Sequence, residues 1–168
     1  DGDWKLQDGI LSVDGGGGGW LSTAETYDDF KLELEYRLAE GGNSGVFLRA
    51  PRQGDPAYTG MEIQLLDDKA PQYTDLAPWQ YTGSIYGVQA PSASATKSAG
   101  EWQQMVLTAH GPHIEVTLNG QQIIDTNLAD HMDKVQEHPG LKRRRGYIGL
   151  QNHNTPVEFR NIKLTEIE

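Results

Sequence analysis

The chain of 168 residues contains no cysteine. Disulfide staples and thiolate chemistry are thereby excluded, and the redox compartment leaves no mark on the sequence. Positive charge is scarce: 14 Lys and Arg stand against 24 Asp and Glu, a net charge of −10 with a pI near 4.9. A surface of that sign repels phosphate backbones, which argues against nucleic acid as a partner. No apolar run approaches the length of a membrane span. Helical periodicity is nearly missing, and only residues 128–135 carry the pattern of a short helix. The five His show neither HxH nor HExxH spacing, so the signature of a dedicated zinc site is lacking. The glycine run at 15–19 has no Lys-Ser/Thr pair behind it and no helix start, so it reads as a hairpin tip rather than a phosphate loop. The first residue is Asp1, with no Met and no leader-like stretch, from which we expect a trimmed chain whose targeting peptide has been removed.

What the chain does have is alternation. Phe30, Leu32, Leu34, Tyr36 and Leu38 fall on one face of a nine-residue run, with charged residues between them. That is the pattern of a half-buried antiparallel strand. Shorter strands are expected at 10–13, 45–49, 60–66, 85–88, 102–109, 113–118, 121–125, 147–152 and 157–164. Asn119-Gly120 lies between two of them and suits a tight type I′ turn, which needs positive φ at both central positions. Many short strands with frequent Gly, Pro and Asn turns predict an all-β sandwich or barrel, and the even spread of turns predicts one domain over 1–168. Phe30, Leu32, Leu34, Ile63, Leu65, Ile148 and Leu150 are the expected inter-sheet core.

Two strands carry polar residues on the face away from that core. In 146–154, Ile148 and Leu150 point one way, while Tyr147, Gly149, Gln151 and then His153 point the other. In 60–66, Met61, Ile63 and Leu65 oppose Glu62 and Gln64. An aromatic ring, a flat glycine, an amide and an imidazole side by side make a surface suited to a polar ligand. Lys142, Arg143, Arg144 and Arg145 read as a solvated turn. Asp67 and Asp68 either form a turn or join Glu62 around a hard cation.

Five segments occur in a telling order: Gly42 to Arg49, Gly60 to Asp68, Thr82 to Gly87, Gly100-Glu101-Trp102, and Gly149 to His153 followed by Phe159-Arg160-Asn161-Ile162. Together they resemble the 3-keto-disaccharide hydrolase domain family, over nearly the whole chain from Trp4 to Ile167. The short Phe-Asn-Gly-Lys type segment that usually starts that family is absent, and Asn154 stands where Gly commonly follows the His. The resemblance implies a concanavalin A-like jelly-roll sandwich of two antiparallel sheets with a ligand groove on the concave face. It also implies bacterial carbohydrate metabolism, with a periplasmic or extracellular location.

Glu62 and Gln64 lie two residues apart on one strand face, so their Cα atoms are roughly 6.5–7 Å apart. An amide neither attacks an anomeric carbon nor donates an acidic proton, so a two-carboxylate glycosidase lacks its pair on this strand. The 3-keto sugar implied by the resemblance offers another route. Its ketone acidifies the C2 hydrogen, a base removes it, the C1 substituent leaves by elimination, and water adds back. His153 and Glu62 are the candidate acid/base pair for that step, with His153 the natural base because its unperturbed pKa is near neutrality. Arg49, with Gln64 or Gln151, is expected to stabilise the enolate oxygen. Tyr86, Trp79 or Tyr147 would form the platform for the ring, with Asn43 as a further substrate contact. No cofactor is required, although a divalent cation near Glu62 and Asp67 stays open, as does the oligomeric state. Two other functions stay open as well: a non-catalytic, lectin-like carbohydrate-binding module, and a conventional glycoside hydrolase pairing Glu62 with Asp67 or Asp75.

Overall fold

The computed structural model describes residues 3–167. Eleven strands run in chain order: β1 Lys5–Gln7, β2 Ile10–Val13, β3 Trp20–Ser22, β4 Phe30–Leu38, β5 Asn43–Ala50, β6 Met61–Leu66, β7 Gln103–His110, β8 His113–Leu118, β9 Gln121–Asn127, β10 Tyr147–Gln151 and β11 Val157–Glu166. They form two antiparallel sheets. The larger has the order β1-β2-β11-β4-β7-β8-β9, and the smaller has β3-β10-β5-β6. This is the expected all-β jelly-roll sandwich.

Alternation builds the layer between the sheets. Phe30, Leu32, Leu34, Tyr36 and Leu38 of β4 are all buried, and the Lys, Glu and Arg between them are half-exposed. They meet Val46, Leu48, Ile63, Leu65, Ile148 and Leu150 from the smaller sheet in one apolar cluster. The β8–β9 hairpin closes at Asn119-Gly120, with φ of 49° and 84° and with Leu118 paired to Gln121, as a two-residue primed turn requires.

Three departures from the expected elements follow. Residues 85–88 do not form a strand. Instead the segment covers the free edge of β6 through Gln64 N–H to Ser84 O (3.1 Å), Gly83 N–H to Gln64 O (2.9 Å) and Tyr86 N–H to Glu62 O (2.9 Å). The edge strand is thus hidden from other chains. A single-turn helix, α1 Pro56–Thr59, follows β5, with Asp55 as its N-cap accepting from Ala57 N–H at 3.0 Å and Pro56 in the first turn. The expected helix near 128–135 is a 3₁₀ stretch, Leu128–Lys134, kinked at His131.

β5 also breaks its own alternation. Ala50 pairs with Tyr147 and Phe47 with Gly149, so Leu48 and Arg49 together oppose Ile148, and Arg49 takes a φ of 51°. This is a β-bulge, which re-aims the side chain at its centre.

Candidate functional site

The outer face of the smaller sheet, turned away from the core, carries two rows of side chains in register. Trp20, Gln151, Gly45 and Gln64 lie across β3, β10, β5 and β6 in one row; Ser22, Gly149, Phe47 and Glu62 lie in the next. The two glycines in these rows make room for their neighbours. A Cβ on Gly149 would sit 2.1 Å from Trp20 Cε3, so the indole rests on bare backbone. A Cβ on Gly45 would sit 2.2 Å from Glu62 Oε1, so the carboxyl leans diagonally over Gly45 toward Gln151.

Glu62 is only 4% exposed. Burial pushes its carboxyl up to about 8, the charge of Asp55 adds to the rise, and a hydrogen bond from the Gln151 amide opposes it. At neutral pH Glu62 is therefore largely a neutral acid. Gln64 beside it is 5% exposed. The side-chain oxygens of Gln64, Gln151 and Asn43 are buried without a hydrogen-bond donor.

α1 packs on this same face. Its Ala57 forms a small apolar cluster with Phe47, Ala50 and Trp20, and Trp20 meets Phe47 edge-on at 5.6 Å between ring centres. The helix start brings Asp55 to a cleft of about 240 Å³ that Gln151 and the exposed His153 also line. Gly18 and Gly19 line the same cleft. Asn152 fastens the glycine loop to the turn that bears His153: its Nδ2 donates to Gly16 O at 2.8 Å, its backbone N–H to Gly19 O at 2.8 Å, and its Oδ1 accepts from Asn154 N–H at 3.1 Å. On the other flank Tyr86 follows the edge segment, with Trp79 perpendicular to it at 5.7 Å. Tyr58 of α1 stacks on His138 at 4.9 Å, and burial raises the Tyr58 hydroxyl above its ordinary value.

Of the residues singled out from sequence, the structure thus brings Glu62, Gln64, Gln151, Asn43, Tyr86 and Trp79 to one face, with His153 at its rim. Arg49 requires a correction. The bulge sends its fully buried guanidinium away from Glu62, where Nε and Nη2 donate to Asp28 O (2.9 and 2.7 Å), Nη1 donates to Gly111 O (2.7 Å), and Asp29 lies at 3.1 Å. It ties β5 to the loops at the end of the sandwich and is no ligand of an enolate. Tyr147 keeps to the outer face, but Arg52 covers its ring at 4.1 Å. Asp67 accepts from Gly41 N–H at 2.9 Å and Asp68 from Thr82 N–H at 3.0 Å, so both carboxylates brace turns. Among the described residues the group of three side chains spaced for a metal ion is His113, Glu115 and Asp125, on the outer face of the larger sheet. The expected cation ligands Glu62 and Asp67 do not make such a group.

Trp20, Phe47, Asp55 and Tyr58 join the site without having been singled out. Asp55-Pro56 carried a usable sign, because Asp before Pro is a helix-start pair. Phe47 reads in sequence as core, and nothing local marks Trp20 as lying over a glycine of a distant strand.

Comparison with known proteins gives the following. The model of the 3-keto-alpha-glucoside-1,2-lyase-like domain matches residues 1–165. A 3-keto-disaccharide hydrolase of Bacteroides thetaiotaomicron is 24% identical, over 98% of this chain and 70% of that protein. A crystal structure of a Parabacteroides distasonis protein, named as a candidate glycosyl hydrolase, superposes with a TM-score of 0.86 at 27% identity, covering 98% of this chain and 90% of the other. The carbohydrate-binding module CBM66 of Bacillus subtilis shares the fold, with a TM-score of 0.64 at 14% identity, covering 99% of this chain and 92% of that one.

Proposed function

Since the chain belongs to the 3-keto-alpha-glucoside-1,2-lyase-like domain family, we propose that it is a carbohydrate-active enzyme that cleaves 3-keto-glycosides by elimination and hydration. The observation that carries this reading is the state of Glu62. A buried carboxyl held up to about 8 is suited to donate a proton at neutral pH, and the position beside it is an amide rather than a second carboxylate. That combination fits elimination better than two-carboxylate hydrolysis.

In the proposed sequence, His153 takes the C2 proton of the 3-keto ring and the electron pair passes toward the ketone as an enolate. The C1–O bond then breaks, the double bond forms between C1 and C2, and the leaving oxygen takes the proton of Glu62. Water adds back: its oxygen bonds to C1 while Glu62 recovers a proton from it, and the imidazolium returns one to C2. The sum is hydrolysis. With Arg49 withdrawn, the amide N–H groups of Gln64 and Gln151 are the donors left to meet the enolate oxygen. Trp20 and Tyr86 offer apolar surface to the sugar ring. The same reading carries a periplasmic or extracellular location as part of the proposal.

Incubation with 3-keto-trehalose and with unoxidised trehalose tests it. We expect release of reducing sugar from the first only, with solvent deuterium incorporated at C2 during turnover. Comparable cleavage of the parent sugar would instead point to a conventional glycosidase, and binding without turnover to a lectin-like module.

A further inference from the structure

We infer that Gln151, Glu62 and Gln64 form a hydrogen-bonded relay over Gly45, in which the Glu62 carboxyl accepts from the Gln151 amide and gives its own proton to Gln64 Oε1. The inference deepens the reading of this face as a catalytic site and rests on it for the use of the proton.

Three observations carry the relay. Gly45 lies in register between Gln151 on β10 and Gln64 on β6, and the Glu62 carboxyl lies over it, in the space a Cβ there would occupy. The carboxyl is therefore flanked by both amides at once. The Gln151 side chain is near enough to favour the ionised Glu62 carboxyl, and the relay assigns its amide N–H to that carboxyl. Gln64 Oε1 is buried, yet no donor reaches it from the protein. A buried amide oxygen left unpaired costs about 1–3 kcal/mol, and the adjacent group able to supply a proton is Glu62 in its acid form. A carboxylic acid is both acceptor and donor, so a neutral Glu62 can take the Gln151 amide N–H and supply Gln64 Oε1, where a carboxylate would leave Gln64 Oε1 without a donor.

The charged and titratable groups around Glu62 agree with a resident proton. α1 contributes Asp55 and Tyr58, the edge segment Tyr86, and the turn after β10 His153. β5 and β10 present only Gly45, Phe47, Gly149 and Gln151 to that part of the face. The charge of Asp55 bears on Glu62 and disfavours a second anion beside it. The relay assigns roles within the site: Gln64 is a positioning residue that aims the acid proton, and its own amide nitrogen remains for substrate.

The titration of the Glu62 carboxyl carbon, followed by NMR and assigned with Glu62→Gln, tests the relay without any substrate. Gln64→Ala removes the acceptor of the acid form, so the midpoint should fall by about one pH unit, the worth of one hydrogen bond. Gln151→Ala removes a donor to the carboxylate, so the midpoint should rise. Water entering the gap would lower both midpoints, so opposite movement separates the relay from mere hydration. Gln64→Asn keeps the polarity but draws the oxygen back, and should move the midpoint in the same direction as Gln64→Ala. Midpoints that move the same way in Gln64→Ala and Gln151→Ala, or an unchanged midpoint in both Gln64 variants, would overturn the relay. In turnover of 3-keto-trehalose, Gln64→Ala should lower kcat more than it raises KM and shift the alkaline limb of the pH profile downward. If the two variants' midpoints move in opposite directions while the wild-type protein leaves 3-keto-trehalose intact, the relay stands and the hydrolase reading alone fails.

Discussion

A carboxyl group that titrates near 8 in the fold and near 4.5 outside it weakens the fold as pH rises. Between those values the folded protein holds a proton that the unfolded chain has lost, so stability falls by about 1.4 kcal/mol per pH unit through that window and levels off above it. Glu62→Gln removes the titration. Its melting temperature should gain on wild type from pH 4.5 to 8, while turnover drops by roughly 10²–10⁴ if Glu62 is the essential acid. A gain that does not vary with pH would show that Glu62 is not buried as a proton carrier. Asp55→Asn should leave the N-cap in place, since Asn caps as well as Asp, yet remove the charge that helps to raise Glu62. The alkaline limb of the rate profile should then move to lower pH with little change in melting temperature. At this scale the sequence is legible wherever the pleat is regular. Alternation alone puts Glu62, Gln64 and Gln151 on one face, and the β5–β6 and β5–β10 ladders keep them there. It fails at Arg49, because one extra residue in β5 reverses the direction of the side chain, and no local pattern marks where a bulge will fall.

Strands show the same division. β4 and β8 occupy stretches where period-two alternation is clean, and their observed bounds match those read from sequence, as do those of the short β2. β4 is the clearest case, and Leu34 at its centre is 2% exposed within the inter-sheet cluster. Leu34→Ala should destabilise by about 2–5 kcal/mol in denaturant titration; a loss under about 0.5 kcal/mol, the size of a surface change, would mean that β4 faces the other way. Residues 85–88 were harder to read. Ile85 and Val88 are buried like strand residues, but the backbone turns back on itself, with Val88 and Gln89 N–H both donating to Ile85 O. Apolar content reports burial, not extension. α1 has four residues and too little length for any periodicity, so only its Asp-Pro start is visible in sequence. The glycine run at 15–19 is a loop tip, as its composition suggests, with every φ positive. Its docking on Asn152, over a hundred residues away, depends on the closed fold and has no local trace.

On the scale of the whole molecule, charge and layering matter most. The net charge is −10, Asp55 lines the cleft, and among the described residues no Lys or Arg lines it. A negative field of this kind slows the approach of anionic ligands and is screened by salt. A 3-keto-uronoside should therefore be turned over more slowly than its neutral counterpart, through kcat/KM, and added salt should narrow the gap; equal rates at low salt would contradict this. The two sheets also divide the work along single strands. On β6 the residues that fill the core are Met61, Ile63 and Leu65, and those on the outer face are Glu62 and Gln64. The two texts are interleaved letter by letter, yet they share no letter. A lineage can rewrite one while leaving the other intact, so the outer face of this scaffold can change without the chain first having to relearn how to fold.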